Sequence, residues 1–133
     1  MKRRIAAVAL VALLPLGMAA CGAQSKADAC NQLKSAMSES SSALLAVSQD
    51  PTSKDTYVPL AEAYEAASKK ITNTEIKPSV DQVAADWRNL ADHADALTSM
   101  DPAKTAEFTQ IAEDLNTHQN ALLATCGLPN GGK

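Results

Sequence analysis

Aromatic side chains are nearly missing from this chain: Tyr57, Tyr64, Trp87 and Phe108 are the only four in 133 residues. That scarcity argues against a surface that stacks bases or sugar rings. Glycine occurs at only five positions, none spaced as a phosphate-cradling loop. No stretch alternates apolar and polar residues between hairpin turns, so no strand is expected. The longest uninterrupted apolar run, residues 5–16, holds 12 residues (16 − 5 + 1). Crossing a bilayer takes about 20. The motifs G-x-S-x-G and H-E-x-x-H, and the Glu-x-x-His pair of di-iron bundles, are missing as well. No histidine is placed in sequence to activate a hydroxyl, so no enzyme is expected.

What is present begins with an export segment. Lys2, Arg3 and Arg4 precede the short apolar run, and Pro15 and Gly17 are expected to end its helical part just before a group of small residues. A basic start, a short apolar stretch and small residues before a break form the layout of a secretory signal. Met18-Ala19-Ala20-Cys21 resembles the lipobox of bacterial lipoproteins, with Met18 where that family usually carries Leu. The resemblance implies a diacylglyceryl group on the Cys21 sulfur and cleavage just before it. Residues 1–20 are then a lipoprotein signal peptide and residues 21–25 a tether. The other reading is an ordinary signal cut after an alanine, with Cys21 incidental.

Removing residues 1–20 leaves 133 − 20 = 113 residues, a single-domain length. Their charge is 12 − 3 = 9 basic against 15 acidic residues, a net of −6. An acidic domain has no electrostatic reason to hold nucleic acid, which needs clustered Lys and Arg. An anionic membrane surface would repel it, so membrane association is expected through the lipid alone.

Downstream of the tether, apolar residues recur in steps of three and four, the period of one helix face. The first stripe is Cys30, Leu33, Met37, Leu44 and Val47, with Ser40 in the missing position. Ser25 with Asp28 forms a capping pair at its start. The serine-rich residues 38–42 are expected to be a weak, flexible outer face. After a break at 49–53, the second stripe is Tyr57, Leu60, Tyr64, Ala67 and Ile71, with Pro59 expected in the first turn. The third is Val80, Val83, Trp87, Leu90, Ala94 and Leu97. Asp101-Pro102 is a capping acid followed by a first-turn proline. The fourth stripe runs Phe108, Ile111, Leu115, His118 and Leu122, and ends at Gly127 and Pro129. The expected fold is therefore all-α: an antiparallel up-down-up-down four-helix bundle over residues 26–128, with a flexible tail at 129–133.

With Cys21 lipidated, Cys30 and Cys126 remain, near the start of the first helix and the end of the fourth. An antiparallel bundle brings both to one end, and an exported protein can oxidise them. A disulfide closing 126 − 30 + 1 = 97 residues contributes roughly 4 to 5 kcal/mol in the chain-entropy account. There is no C-x-x-C to suggest a redox site instead.

His118 is the polar residue that interrupts an apolar stripe. Counted from the staple it shares a layer with Met37, an arrangement that resembles the Met/His axial pair of b-type cytochromes on four-helix bundles. That resemblance implies haem b as an alternative to no cofactor at all; the c-type motif C-x-x-C-H is absent. The plainer expectation is a core-edge histidine bonded to Ser40 or Ser41, with Met37 filling a gap. His93, beside Asp92 and Asp95 and with Asp86 two turns back, reads as a solvated acidic face and not a metal site.

In layout the chain resembles short, Ala-rich lipobox proteins of actinobacteria, helical domains with a cysteine near each end. That likeness implies a lipid-anchored protein on the extracytoplasmic face of a bacterial cell membrane. A non-enzymatic binding module is the first expectation, meeting a cell-envelope protein through the loops 49–54 and 98–102. The alternatives are a haem or small-ligand carrier around Met37 and His118, and a purely structural surface protein.

Overall fold

Side-chain caps set the first boundaries. The Ser25 hydroxyl accepts the Asp28 backbone N–H at 3.1 Å and donates to the Asp28 carboxylate at 2.7 Å, which starts α1, Lys26–Glu39. Four further α-helices follow: α2, Ser41–Gln49; α3, Lys54–Lys70; α4, Lys77–Asp92; and α5, Pro102–Thr125. A short 3-10 turn, Ala94–Leu97, stands between α4 and α5. This computed structural model describes residues 24–129. The signal segment, Cys21 and the tail from residue 130 lie outside the described residues. Among the described residues there is no strand, and no helix is long and apolar enough to cross a membrane. The described residues form an all-helical structure.

Among the described residues five α-helices stand where the stripes predicted four. The extra boundary falls at Ser40, inside the serine run. Ser40 Oγ donates to the Met37 carbonyl at 3.1 Å and Ser41 Oγ to the Ser38 carbonyl at 2.9 Å. Serine hydroxyls compete for the carbonyls that an uninterrupted helix uses, and α1 gives way to α2 there. Ser38, Ser41 and Ser42 are exposed, as an outer face requires, and the exception is Ser40, which is buried and points inward.

The third stripe is likewise cut. Val80 to Ala94 are buried along it, but α4 ends at Asp92, the chain turns through 3-10 geometry, and Leu97 is exposed. His93 Nδ1 donates to the Asn89 carbonyl at 2.8 Å and so satisfies one of the orphaned carbonyls at the helix end. Pro59 is the sixth residue of α3 and not in its first turn. It faces solvent, where water can serve the carbonyl its missing N–H leaves behind.

The end of α5 follows its sequence signal closely. Gly127 takes φ +62°, its N–H donates to the Ala124 carbonyl at 3.0 Å, and the Leu128 N–H donates to the Leu123 carbonyl at 2.9 Å. That pair of bonds is a Schellman cap, which needs the left-handed residue glycine supplies.

The core is centred on α3 and α4, which share the most extensive interface. Leu33, Leu60, Ile71, Ile76, Val80, Val83 and Leu122 are its most deeply buried large side chains. α5 packs on α4, whereas α1 and α2 lie along α3. α2 buries no residue fully, and Leu44 and Leu45 on it are exposed.

Cross-chain contacts define two ends. At one, Gln24 bonds with Thr72 and Asn73, Lys26 pairs with Glu75 at 2.7 Å, and Cys30 is joined to Cys126 with Cα atoms 5.5 Å apart. At the other, Lys54 pairs with Asp92 at 2.5 Å, and Tyr57 packs against Trp87 and Phe108 with ring centroids 6.5 and 6.3 Å away. The described chain therefore enters at the disulfide end, and the loops 50–53 and 98–101 lie at the opposite one.

Candidate functional site

Two carboxylate positions looked equivalent in sequence, and the structure separates them. Asp92 is on the surface, bonded to the Lys54 ammonium, whose hydrogen bond and charge hold its carboxyl below the usual range. Asp86 is not on that solvated face. Its side chain is only 6% exposed and points from α4 towards α5. The helical period explains why: Asp86 lies three residues after Val83 and four before Leu90, inside the buried stripe. That spacing was the available signal.

The partner of Asp86 is His118. Imidazole Nδ1 lies 2.7 Å from Asp86 Oδ2, and Gln82 Nε2 donates to Asp86 Oδ1 at 3.0 Å. A carboxylate accepts only, so Nδ1 carries the proton and a neutral imidazole presents Nε2 as an acceptor. The imidazole is 41% exposed. It borders a shallow depression of about 200 Å³ lined also by Pro78, Ser79, Gln82 and Ala121. All five lining residues belong to α4 and α5.

This arrangement replaces the expected bond from His118 to Ser40 or Ser41, both of which spend their hydroxyls on local carbonyls. It also leaves Met37 elsewhere. Met37 is partly buried on α1 against the core edge, and α1 packs on α3. His118 is turned to α4, and no α1 residue lines its depression. The structure does not gather Met37 and His118 around one space that would hold a haem.

The rest of the polar surface is paired more ordinarily. His93 Nε2 lies 3.5 Å from Glu107, and Lys104 lies 4.0 Å from Asp95. Arg88 donates twice to one Glu65 oxygen, at 3.1 and 2.7 Å, and those bonds raise its guanidinium pKa. Lys77 reaches the Ser68 hydroxyl at 2.7 Å and Asp81 at 3.5 Å, and Ser68 in turn bonds to Asp81. These groups border an open groove of about 480 Å³ between α3 and α4. Among the described residues no group of three or more His, Cys, Asp or Glu is arranged to hold a metal ion.

Two tyrosines are buried. Burial pushes the Tyr64 hydroxyl up to about 12, and burial with the nearby Asp50 carboxylate also raises Tyr57. Compared with known proteins, the chain matches no family model, no curated protein and no solved structure.

Proposed function

We propose that this protein is a bacterial lipoprotein, anchored by a lipid on Cys21 to the extracytoplasmic face of the cell membrane, whose helical domain is a non-enzymatic interaction module. On this reading α1 and α2 are two halves of one arm, and the molecule is an antiparallel four-helix bundle with a break at Ser40. The anchor rests on Met18-Ala19-Ala20-Cys21 and the basic, apolar run before it. A tether of residues 21–25 spans at most about 15 Å when extended, so the disulfide end would sit against the lipid surface.

The observation that carries the interaction reading is where apolar side chains are left in solvent. Met100, within the loop 98–101 at the end away from the disulfide, is fully exposed, and Leu97, just before that loop, is 39% exposed. Leu44 and Leu45 stand out from α2, the helix that contributes least to the core. Exposed apolar groups at the outward end suit a protein partner in the cell envelope better than a solvent-facing cap.

Labelling cells with radioactive palmitate and fractionating them tests the anchor. The wild type should incorporate label and sediment with membranes, and Cys21→Ser should do neither. A membrane-bound, unlabelled wild type would overturn it. A photo-crosslinking residue at position 100 in intact cells tests the interaction. It should yield a discrete adduct that the same residue at solvent-facing Glu113 does not.

A further inference from the structure

We propose that the depression beside His118 is a binding site for a primary ammonium group, taking the aminoalkyl end of a small amine. This goes beyond the anchoring and interaction reading and does not depend on it. The central observation is a carboxylate, Asp86, only 6% exposed, whose two hydrogen-bond partners, His118 and Gln82, both line the depression.

The acceptors are set by that buried carboxylate. Asp86 Oδ2 takes the His118 Nδ1 proton, which leaves Nε2 of the neutral ring as an acceptor. Asp86 Oδ1 takes the Gln82 amide N–H, which turns the Gln82 Oε1 away from Asp86. Among the described residues that oxygen accepts no hydrogen bond. Ser79, on the same stripe one turn earlier in α4, has a hydroxyl with no hydrogen-bond partner there either. Three acceptor-capable groups therefore border one depression of about 200 Å³.

Charge selects the ligand's sign. Asp86 is bonded to two of the lining residues, His118 and Gln82, and among the described residues no Lys or Arg lines the depression. The nearest basic residue in sequence, Lys77, is committed elsewhere, to Ser68 and Asp81 on the far side of α4. Along α5, Asp114 lies one turn before His118 and is exposed. An ammonium offers three N–H donors to three acceptors, two of them on side chains that a carboxylate holds in place. Pro78 and Ala121 supply the apolar wall that a methylene chain needs.

The test is nuclear magnetic resonance of the histidine ring signals in the full chain, purified in a neutral detergent and held with both histidines neutral. Cadaverine stands for a free diamine, and Nα-acetyl-lysine amide for a lysine of a neighbouring protein. At least one should shift the His118 ring signals saturably at millimolar concentration while those of His93 stay fixed, and the tighter of the two names the source. Glutarate, a dianion of similar length, should do nothing. Asp86→Asn should weaken the amine on the order of tenfold. Should that variant lose its fold, Ser79→Val, which leaves the Asp86–His118 bond intact, should still weaken it severalfold. No saturable shift with either amine, an equal response to glutarate, or a response to zinc alone would overturn the proposal.

Discussion

Cys30 in α1 and Cys126 at the end of α5 are joined with Cα atoms 5.5 Å apart, across 96 positions of sequence. The bond links helices that otherwise share little backbone contact, because α1 packs on α3 and α5 on α4. It closes the ring of helices at one end. Reduction, or replacement of both cysteines by serine, should lower the unfolding free energy by about 2 to 5 kcal/mol. Urea titration with and without reductant measures it. Amide exchange should rise first in α1 and α2, whose attachment is thinnest. An unchanged urea midpoint would sink this account of the staple.

The pair of Asp86 and His118 is asymmetric, and single substitutions should show it. His118→Ala leaves a nearly buried carboxylate oxygen without its donor. Because the imidazole is 41% exposed, water can partly replace it, and the loss should be about 1 to 3 kcal/mol. Changing both residues to Leu removes charge and partner together, and should recover most of that loss. A double-mutant cycle by chemical denaturation reads the coupling directly. Strict additivity of the two changes would show that the contact contributes nothing.

The helical class, the caps at Ser25, Asp101 and Gly127, and the cysteine pairing were legible in sequence because each rests on local chemistry or on strong periodicity. Asp101 does accept from the Ala103 N–H, at 2.9 Å, as its position before Pro102 predicts. The breaks at Ser40 and His93 were not legible. Both stripes continue past them, and the interruption comes from side chains that take backbone carbonyls in one particular rotamer. The site was half legible. His118 stood out as the polar residue in an apolar stripe, but the layer it shared with Met37 was inferred along the helix axis alone. Which neighbour a side chain faces depends on rotation about that axis. Asp86 reads in sequence as part of the solvated acidic face because Asp92 and Asp95 stand near it, although its spacing from Val83 and Leu90 marks it as inward.

Tyr64 gives the fold an alkaline limit. Its hydroxyl, which accepts from Gln119 Nε2 at 3.3 Å, is held up to about 12 by burial, against 10.0 for a free tyrosine. The folded state thus keeps this proton more tightly than the unfolded chain. The corresponding stability is fully present below pH 10.0 and is lost as pH climbs through about 12. Two pKa units correspond to about 3 kcal/mol. Unfolding followed by circular dichroism should therefore show steep destabilisation in that window. In Tyr64→Phe the slope should be shallower, with Tyr57, also raised, supplying the remainder. A slope identical in the two proteins would assign the alkaline limit to another group.

Leucines at two positions separate what holds the fold from what is left over for a partner. Leu60 in α3 is completely buried, and Leu60→Ala should cost about 2 to 5 kcal/mol through lost burial and the cavity left behind. Leu45 in α2 is 65% exposed, and Leu45→Ser should change stability by no more than about 0.5 kcal/mol. Thermal or urea unfolding of the two variants checks both figures. A protein gains little from keeping a leucine in water at a position that does not support the core. If Leu45→Ser is as stable as the wild type but abolishes a cross-link formed in intact cells, the lost contact is with a partner. A stability loss at Leu45 as large as at Leu60 would instead make α2 part of the core.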